Sequence, residues 1–218
     1  LIPRPETEML VEECLKHWSA SSPAYEHRPA PSPSGERVGV RGEGRNPAQH
    51  PAIADIGAGT GAIAIAVAAN IPSSRVYATE ISPEAAKVAR ANIEKHQLAD
   101  RVIILEGDLV EPLAGLGIEF DAVLSNPPYI PFAEIARLEP EVRHEPIGAL
   151  DGGPDGLDTY RRLFPESLPL LRDGGFVAVE VGAGQADSVS DIAQAAGYGQ
   201  IETARDLAGI NRVVIAYK

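Results

Sequence analysis

The chain is poor in cysteine and in basic residues, and it has no long hydrophobic run. A single cysteine, Cys14, stands among 218 residues. One thiol can form neither an internal disulfide nor a cysteine zinc site, so the sequence reads as a protein of a reducing, cytoplasmic setting. Lys plus Arg number 19 against 31 Asp plus Glu, a net charge of -12. An acidic surface repels phosphate backbones, which argues against a broad nucleic-acid footprint and for no direct nucleic-acid binding. The apolar stretches are broken by charges or turn residues well before they could span a membrane. No signal-peptide pattern opens the chain. The first residue is Leu1 rather than Met, which reads as a fragment or a processed chain. What remains is ordinary globular material, 44% hydrophobic and 23% charged. The length suits one full-sized domain with a packed core and is short for two.

Residues 19–52 differ from the rest. They hold six Pro, four Gly and five Ser in 34 residues and almost no large apolar side chain. Such a stretch cannot bury enough surface to offset the entropy of ordering, and it reads as a flexible insertion. Its Arg28, Arg37, Arg41 and Arg45 lack interleaved aromatics, which is weak support for a nucleic-acid arm. Residues 1–18 precede it and contain one amphipathic helix over 6–18, with Met9, Leu10, Cys14 and Leu15 near one face. Pro3, Pro5 and the acidic first turn suit a helix start, and Cys14 reads as a small core residue. Residues 53–218 form the main domain.

In that domain strand and helix alternate. Short apolar strands are expected at 52–56, 75–80, 102–106, 120–125, 176–181 and 212–217, with a weaker one at 201–205. Helices are expected at 62–70, from Ser82-Pro83 to about 96, at 157–171 and at 186–196. Apolar strands separated by helices imply an α/β fold, a mostly parallel sheet covered on both faces. The last two strands leave no room for a helix between them, so they form a C-terminal antiparallel hairpin.

Two loops carry the chemistry. The first, Asp55-Ile56-Gly57-Ala58-Gly59-Thr60-Gly61, leaves the first sheet strand and opens a helix. Its glycines lack the side chains that would keep a ligand from the backbone, and they permit a sharp turn. Glu80 ends the second strand, so its carboxylate faces the same crevice and can accept both hydroxyls of a ribose. The spacing Gly-x-Gly-x-Gly differs from the dinucleotide spacing and is the type seen with S-adenosylmethionine, which has a ribose but no phosphate. Asp108 and Leu109 follow the third sheet strand, as a candidate acceptor for an adenine amino group and a candidate wall for its ring.

The second is Asn126-Pro127-Pro128-Tyr129, delivered into that crevice by the strand at 120–125. Both prolines fix φ and neither has an amide hydrogen. The Asn126 side-chain oxygen and the Pro127 carbonyl are therefore two acceptors in a stiff frame, matched to the two hydrogens of a planar –NH2 group. Tyr129 can stack on that group. Drawing on both hydrogens favours the pyramidal nitrogen that exists only as a bond to methyl forms. Amide or exocyclic-amine methylation fits these residues and requires no strong general base.

With those motifs in place the chain resembles the HemK family, the peptide chain release factor glutamine N5-methyltransferases. The likeness rests on Pro3-Arg4-Pro5-Glu6-Thr7-Glu8, the loop from Asp55 to Gly61, Asn126 to Tyr129, Glu145-Pro146, Gly152-Gly153-Pro154-Asp155-Gly156-Leu157 and Asp206-Leu207-Ala208-Gly209. It implies a Rossmann-like class I methyltransferase with a seven-stranded sheet. It also implies transfer of a methyl group from S-adenosyl-L-methionine, leaving S-adenosyl-L-homocysteine, to the glutamine of the Gly-Gly-Gln loop of peptide chain release factors. By the matched positions Gly57, Ala58, Gly59, Thr60, Gly61 and Glu80 would hold the cofactor. Asn126, Pro127, Pro128 and Tyr129 would hold the glutamine amide, with Asn126 also near the cofactor methyl. Arg4 and Glu6 would line the same region. The family's small helical domain before Pro-Arg-Pro-Glu has no counterpart in this sequence.

A nucleic-acid adenine-N6 methyltransferase shares both loops and is the competing enzyme reading. A cofactor-binding partner protein without activity is the non-enzymatic one. The acidic surface and the segments particular to the glutamine enzymes favour the protein substrate. His144-Glu145 reads as a positioning loop, and Asp151, Asp155 and Asp158 as turn and cap residues. No metal-ligand spacing occurs.

Overall fold

A computed structural model describes residues 5–21, 50–139 and 145–218, with side chains omitted at 5–7 and 18–21. Arg4, His144, the Glu6 side chain and nearly all of the stretch at 19–52 lie outside the described residues.

The elements, in chain order, are α1 (Pro5–Ser21), β1 (Ala52–Ile56), α2 (Ala62–Asn70), β2 (Arg75–Glu80), α3 (Pro83–Lys95), β3 (Val102–Glu106), α4 (Glu111–Ala114), β4 (Phe120–Ser125), α5 (Phe132–Ile135), α6 (Asp158–Ser167), β5 (Leu171–Glu180), α7 (Ala186–Ala195), β6 (Gln200–Arg205) and β7 (Asn211–Tyr217). The seven strands form one sheet in the order β3-β2-β1-β4-β5-β7-β6. The first five run parallel, and β7 is antiparallel to both β5 and β6. The expected mostly parallel sheet with an antiparallel C-terminal pair is therefore present.

The strands are apolar on both faces because both faces are covered. In β2, Val76 and Ala78 pack with α1, α2 and α3 side chains such as Leu10, Val67 and Ile93. Tyr77 turns the other way, into a core with Leu113 of α4, Leu163 of α6 and Val189 of α7. The same alternation holds in β7, with Val213 and Ile215 on one side and Val214 and Ala216 on the other. Local signals set the helix starts. Ser82 accepts a hydrogen bond from the Ala85 amide at 3.2 Å, and Pro83 takes the first helical position of α3.

Three boundaries differ from the sequence expectation by three residues or more. The helix at 157–171 ends at Ser167 and tightens into a 3-10 turn at Leu168–Leu170, where Pro169 cannot supply an amide to continue the α-helix. β5 begins at Leu171 rather than 176, across an irregular register between Phe120 and Ala122. α1 extends past Trp18 to Ser21.

Candidate active site

The strand order reverses between β1 and β4. β1 leads by α2 to β2 on one side, while the chain returns from β3 to place β4 on the other side of β1. Carboxyl ends of neighbouring strands diverge at such a point and leave a crevice. Register makes the convergence explicit. Ile56, the last residue of β1, pairs with Thr79 of β2 and with Ser125 of β4. The next residues are Gly57, Glu80 and Asn126, so the three expected site segments leave the sheet side by side. The Ser125 hydroxyl donates to the Ile56 carbonyl at 2.7 Å, tying the two strand ends together.

The glycine loop is held from below and open above. The Gly57 and Ala58 amides donate to the Thr79 carbonyl at 3.0 and 2.9 Å. Glu80 then braces the loop tip: its Oε2 accepts from the Gly59 amide at 2.7 Å and its Oε1 from the Ser82 amide at 2.8 Å. Each carboxylate oxygen keeps lone-pair capacity for a hydroxyl donor. Gly59 has φ +55°, and a Cβ added at Gly57 or Gly59 would meet nothing within 4 Å. Those two glycines therefore face open space, whereas a Cβ at Gly61 would touch Ala89 at 3.3 Å. The Thr60 carbonyl accepts from the Asn92 side chain at 2.9 Å, which fixes the loop against α3.

Asp55, the last-but-one residue of β1, is fully buried beneath this loop. Its Oδ2 accepts from the Ala64 amide at 3.0 Å, capping the first turn of α2. Burial pushes its carboxyl up to about 7, against the pull of that amide and with a further upward push from nearby Glu80.

The Asn126–Tyr129 segment is partly exposed at Asn126, Pro128 and Tyr129 and buried at Pro127. Its far end is sewn to the loop that precedes α6. The Ile130 amide donates to the Leu150 carbonyl at 3.0 Å, the Gly152 amide to the Ile130 carbonyl at 2.9 Å, and the Phe132 amide to the Gly153 carbonyl at 2.9 Å. That loop is shaped by its own side chains. Asp151 accepts from the Gly153 amide at 2.9 Å and Asp155 from the Leu157 amide at 3.2 Å, which are the turn roles expected of them. Arg161 bridges Asp155 and Asp158 across the turn, its paired N–H groups holding the Asp155 carboxyl below the ordinary range.

Asp108 and Leu109 also reach this end of the sheet, two and three residues beyond β3. Asp108 is not an isolated acceptor: Arg162 of α6 donates to its Oδ2 at 2.8 Å while also reaching Glu166 at 3.2 Å. Leu109 holds the left-handed conformation at φ +43° and packs its side chain against the α6 and α7 core. Three features escape a reading of the sequence alone. Ile81, next to Glu80, is 68% exposed, an apolar surface at the mouth of the crevice. Arg162 covers Asp108. Glu180 ends β5 as a buried residue one step beyond Val179, which pairs with Ser125, so it stands level with Asn126. Tyr160 donates to the Glu180 carbonyl at 2.7 Å. Among the described residues no group of three His, Cys, Asp or Glu side chains could hold a metal ion.

A groove of about 350 Å³ between α1 and α2 is lined by Val11, Leu15, Ala62 and Ala66 with Glu8 and Glu12. It contains none of the residues expected to hold the cofactor or the methyl acceptor.

Comparison with known proteins agrees with this fold. Residues 45–144 match the family model described as "Methyltransferase small domain". Over 219 aligned residues the chain is 44% identical to a release factor glutamine methyltransferase of Moorella thermoacetica, covering 100% of this chain and 67% of that protein. It is 45% identical to a release factor glutamine methyltransferase of Gloeobacter violaceus over 100% of this chain and 66% of that protein. The chain thus spans about two thirds of the length of these relatives. In fold it is similar to the N-terminal domain of human METTL16 in complex with SAH, at a TM-score of 0.62 and 16% identity, covering 99% of this chain and 72% of that one.

Proposed function

This chain belongs to the family of release factor glutamine methyltransferases, and from that premise we propose that it methylates the side-chain amide nitrogen of the glutamine in the Gly-Gly-Gln motif of peptide chain release factors. The observation that carries the reading is the level convergence of Gly57, Glu80 and Asn126 at the ends of β1, β2 and β4.

The residues fit S-adenosyl-L-methionine. Gly57 and Gly59 face open space, and the buried Glu80 carboxylate beside them is set for ribose hydroxyls. Gly57, Ala58, Gly59, Thr60, Gly61 and Glu80 would hold it, with Asp108 and Leu109 at the adenine end and Ile81 as an apolar surface against the ring. When bound, it supplies a methyl group already activated on a sulfonium.

The chain's own part in the reaction is positioning and polarisation. Asn126 Oδ1 and the Pro127 carbonyl accept the two N–H groups of a carboxamide, and Tyr129 packs on its flat face. Amide nitrogen is a poor nucleophile because its lone pair is delocalised. The two acceptors bind more strongly as the nitrogen pyramidalises and its hydrogens become more positive, which lowers the barrier selectively. Pro127 and Pro128 keep these acceptors from relaxing away, so alignment is set before the substrate arrives. The methylated nitrogen is strongly acidic and gives its proton to water, which agrees with the absence of a histidine or cysteine device among the segments described.

The partners are accordingly release factors, met in the cytoplasm; the net charge of -12 disfavours direct binding to nucleic acid. Among the described residues no helix is long and apolar enough to cross a membrane. The test is methyl transfer from labelled cofactor to purified release factors, DNA and RNA, read by intact mass and scintillation. Label is expected on a release factor and lost when its motif glutamine is replaced. Asn126→Ala should reduce turnover at least ~100-fold while cofactor affinity stays within a few-fold. Label on nucleic acid alone, or an Asn126→Ala variant as active as the parent, overturns the reading.

A further inference from the structure

Gln185 lies outside every motif discussed so far, at the start of α7 on the loop that leaves β5. Its side chain touches three backbone segments at once. Nε2 donates to the Tyr129 carbonyl at 2.9 Å and reaches the Gly156 carbonyl at 3.4 Å, while Oε1 accepts from the Gly182 amide at 3.0 Å. The partners fix the orientation of the amide, since turning it over would set its oxygen against two carbonyls and its –NH2 against an N–H.

The neighbouring glycines show how closely the backbone is gathered round it. At Gly156, φ +78°, an added Cβ would run into the Tyr129 carbonyl oxygen and stand 2.6 Å from Gln185 Nε2. At Gly182 it would lie 2.7 Å from Gln185 Oε1 and 3.1 Å from the Tyr129 ring. At both positions a side chain on the glycine would collide with the Gln185 amide. Gln185 itself is anchored, because its carbonyl accepts the Val189 amide at 2.9 Å in the first turn of α7.

We infer that Gln185 is a positioning residue for the acceptor segment, clamping the Tyr129 carbonyl so that Asn126, Pro127 and the Tyr129 ring hold the geometry that a carboxamide requires. The prolines stiffen that segment from within, and backbone hydrogen bonds tie it to the loop before α6 from Ile130 onward. Gln185 holds the carbonyl between these two restraints, joining the segment to α7 and to the turn at Gly156. The inference rests on the proposed role of residues 126–129 and extends it to a residue that touches neither substrate nor cofactor.

The test uses the full chain with Gln185→Met, which keeps the length and loses the hydrogen bonds, and Gln185→Glu, which keeps an acceptor for Gly182. Gln185→Met should lower kcat ~10–100-fold with the affinity for S-adenosylhomocysteine within about twofold. Hydrogen exchange at the Ile130 and Gly152 amides should quicken. Gln185→Glu presents a carboxylate to two carbonyls at high pH and regains a donor when protonated, so its kcat relative to the parent should rise as the pH is lowered from 8 to 6. An unchanged kcat for Gln185→Met overturns the clamp. So does a parallel loss of kcat, product affinity and thermal stability with a flat pH ratio, since that is a folding defect. Exchange is read without any substrate, so it judges the clamp separately from the choice of methyl acceptor. Should the parent methylate only nucleic acid, the substrate reading fails, while quickened exchange at Ile130 and Gly152 still supports the clamp and unaltered exchange rejects it.

Discussion

Asp55 holds its carboxyl where charge is most expensive, under the glycine loop and fully buried. Its folded-state value near 7 against an ordinary 3.8 gives a definite sign. Below about pH 4 the group is protonated in both folded and unfolded chains and costs nothing. Between 4 and 7 the unfolded chain releases the proton while the folded one retains it, so stability falls as pH rises. Above 7 the penalty is constant. Three units correspond to roughly 4 kcal/mol, an upper figure for a single group. Asp55→Asn keeps an oxygen for the Ala64 amide and cannot ionise. The variant should match the parent within ~1 kcal/mol at pH 4.5 and exceed it by a few kcal/mol at pH 8 in urea unfolding. A stability difference that stays flat across this range would reject the assignment. The site residues that sequence exposes most readily are those carried by their neighbours in the chain. Gly57 and Asn126 each follow a strand end and Glu80 is one, so a pattern of apolar run then loop finds them. Gln185 has no such flag: it meets Tyr129 across 56 positions and reads locally as an ordinary helix-start residue.

Among the described residues α1 is the one element before the sheet, and it is docked rather than appended. Leu10 and Cys14 are 0% and 1% exposed, packed with Ile53, Ala64 and Val67 over the face that α2 and α3 also cover. Burial without a partner pushes the Cys14 thiol up to about 12, so it behaves as a small apolar side chain and not as a nucleophile. Leu10→Ala should cost about 2–5 kcal/mol, read as a lower urea midpoint with an unchanged slope. A cost under ~0.5 kcal/mol would mean that α1 is not part of the cooperative core. Legibility at this scale follows burial. The first four strands are readable to the residue because each is a short, mostly apolar run with a glycine, serine or asparagine within two residues of its end. The opening of β5 was not, since Arg172-Asp173-Gly174-Gly175 has the composition of a turn. Tertiary pairing keeps it in the sheet: Arg172 lies 2.5 Å from the buried Asp121 carboxylate, which also accepts from the Ala52 amide at 2.7 Å. α4 and α5 have four residues each, too few for a helical period to show.

For the whole molecule the decisive feature is that the crevice is assembled from both halves of the sheet. The glycine loop and Glu80 come from the β1–β2 side, and the acceptor segment comes from β4 on the other side of the switch. No such site exists in the unfolded chain, so a ligand of this crevice stabilises the fold by mass action. S-adenosylhomocysteine at 100 times its Kd should add about 2.7 kcal/mol. For a chain of 218 residues that is a rise in Tm of roughly 5–10 °C. Glu80→Ala should lose most of the rise, because it removes the proposed ribose acceptor together with the brace on the Gly59 amide. Asn126→Ala should keep most of it, since the role proposed for that side chain is toward the methyl acceptor. Nicotinamide dinucleotide gives the contrast: the loop spacing supplies no pyrophosphate cradle at the start of α2, so it should leave Tm unmoved. A dinucleotide shift equal to that of S-adenosylhomocysteine would make the crevice a general nucleoside site, and the Gly-x-Gly-x-Gly spacing would then say nothing about which cofactor the chain takes.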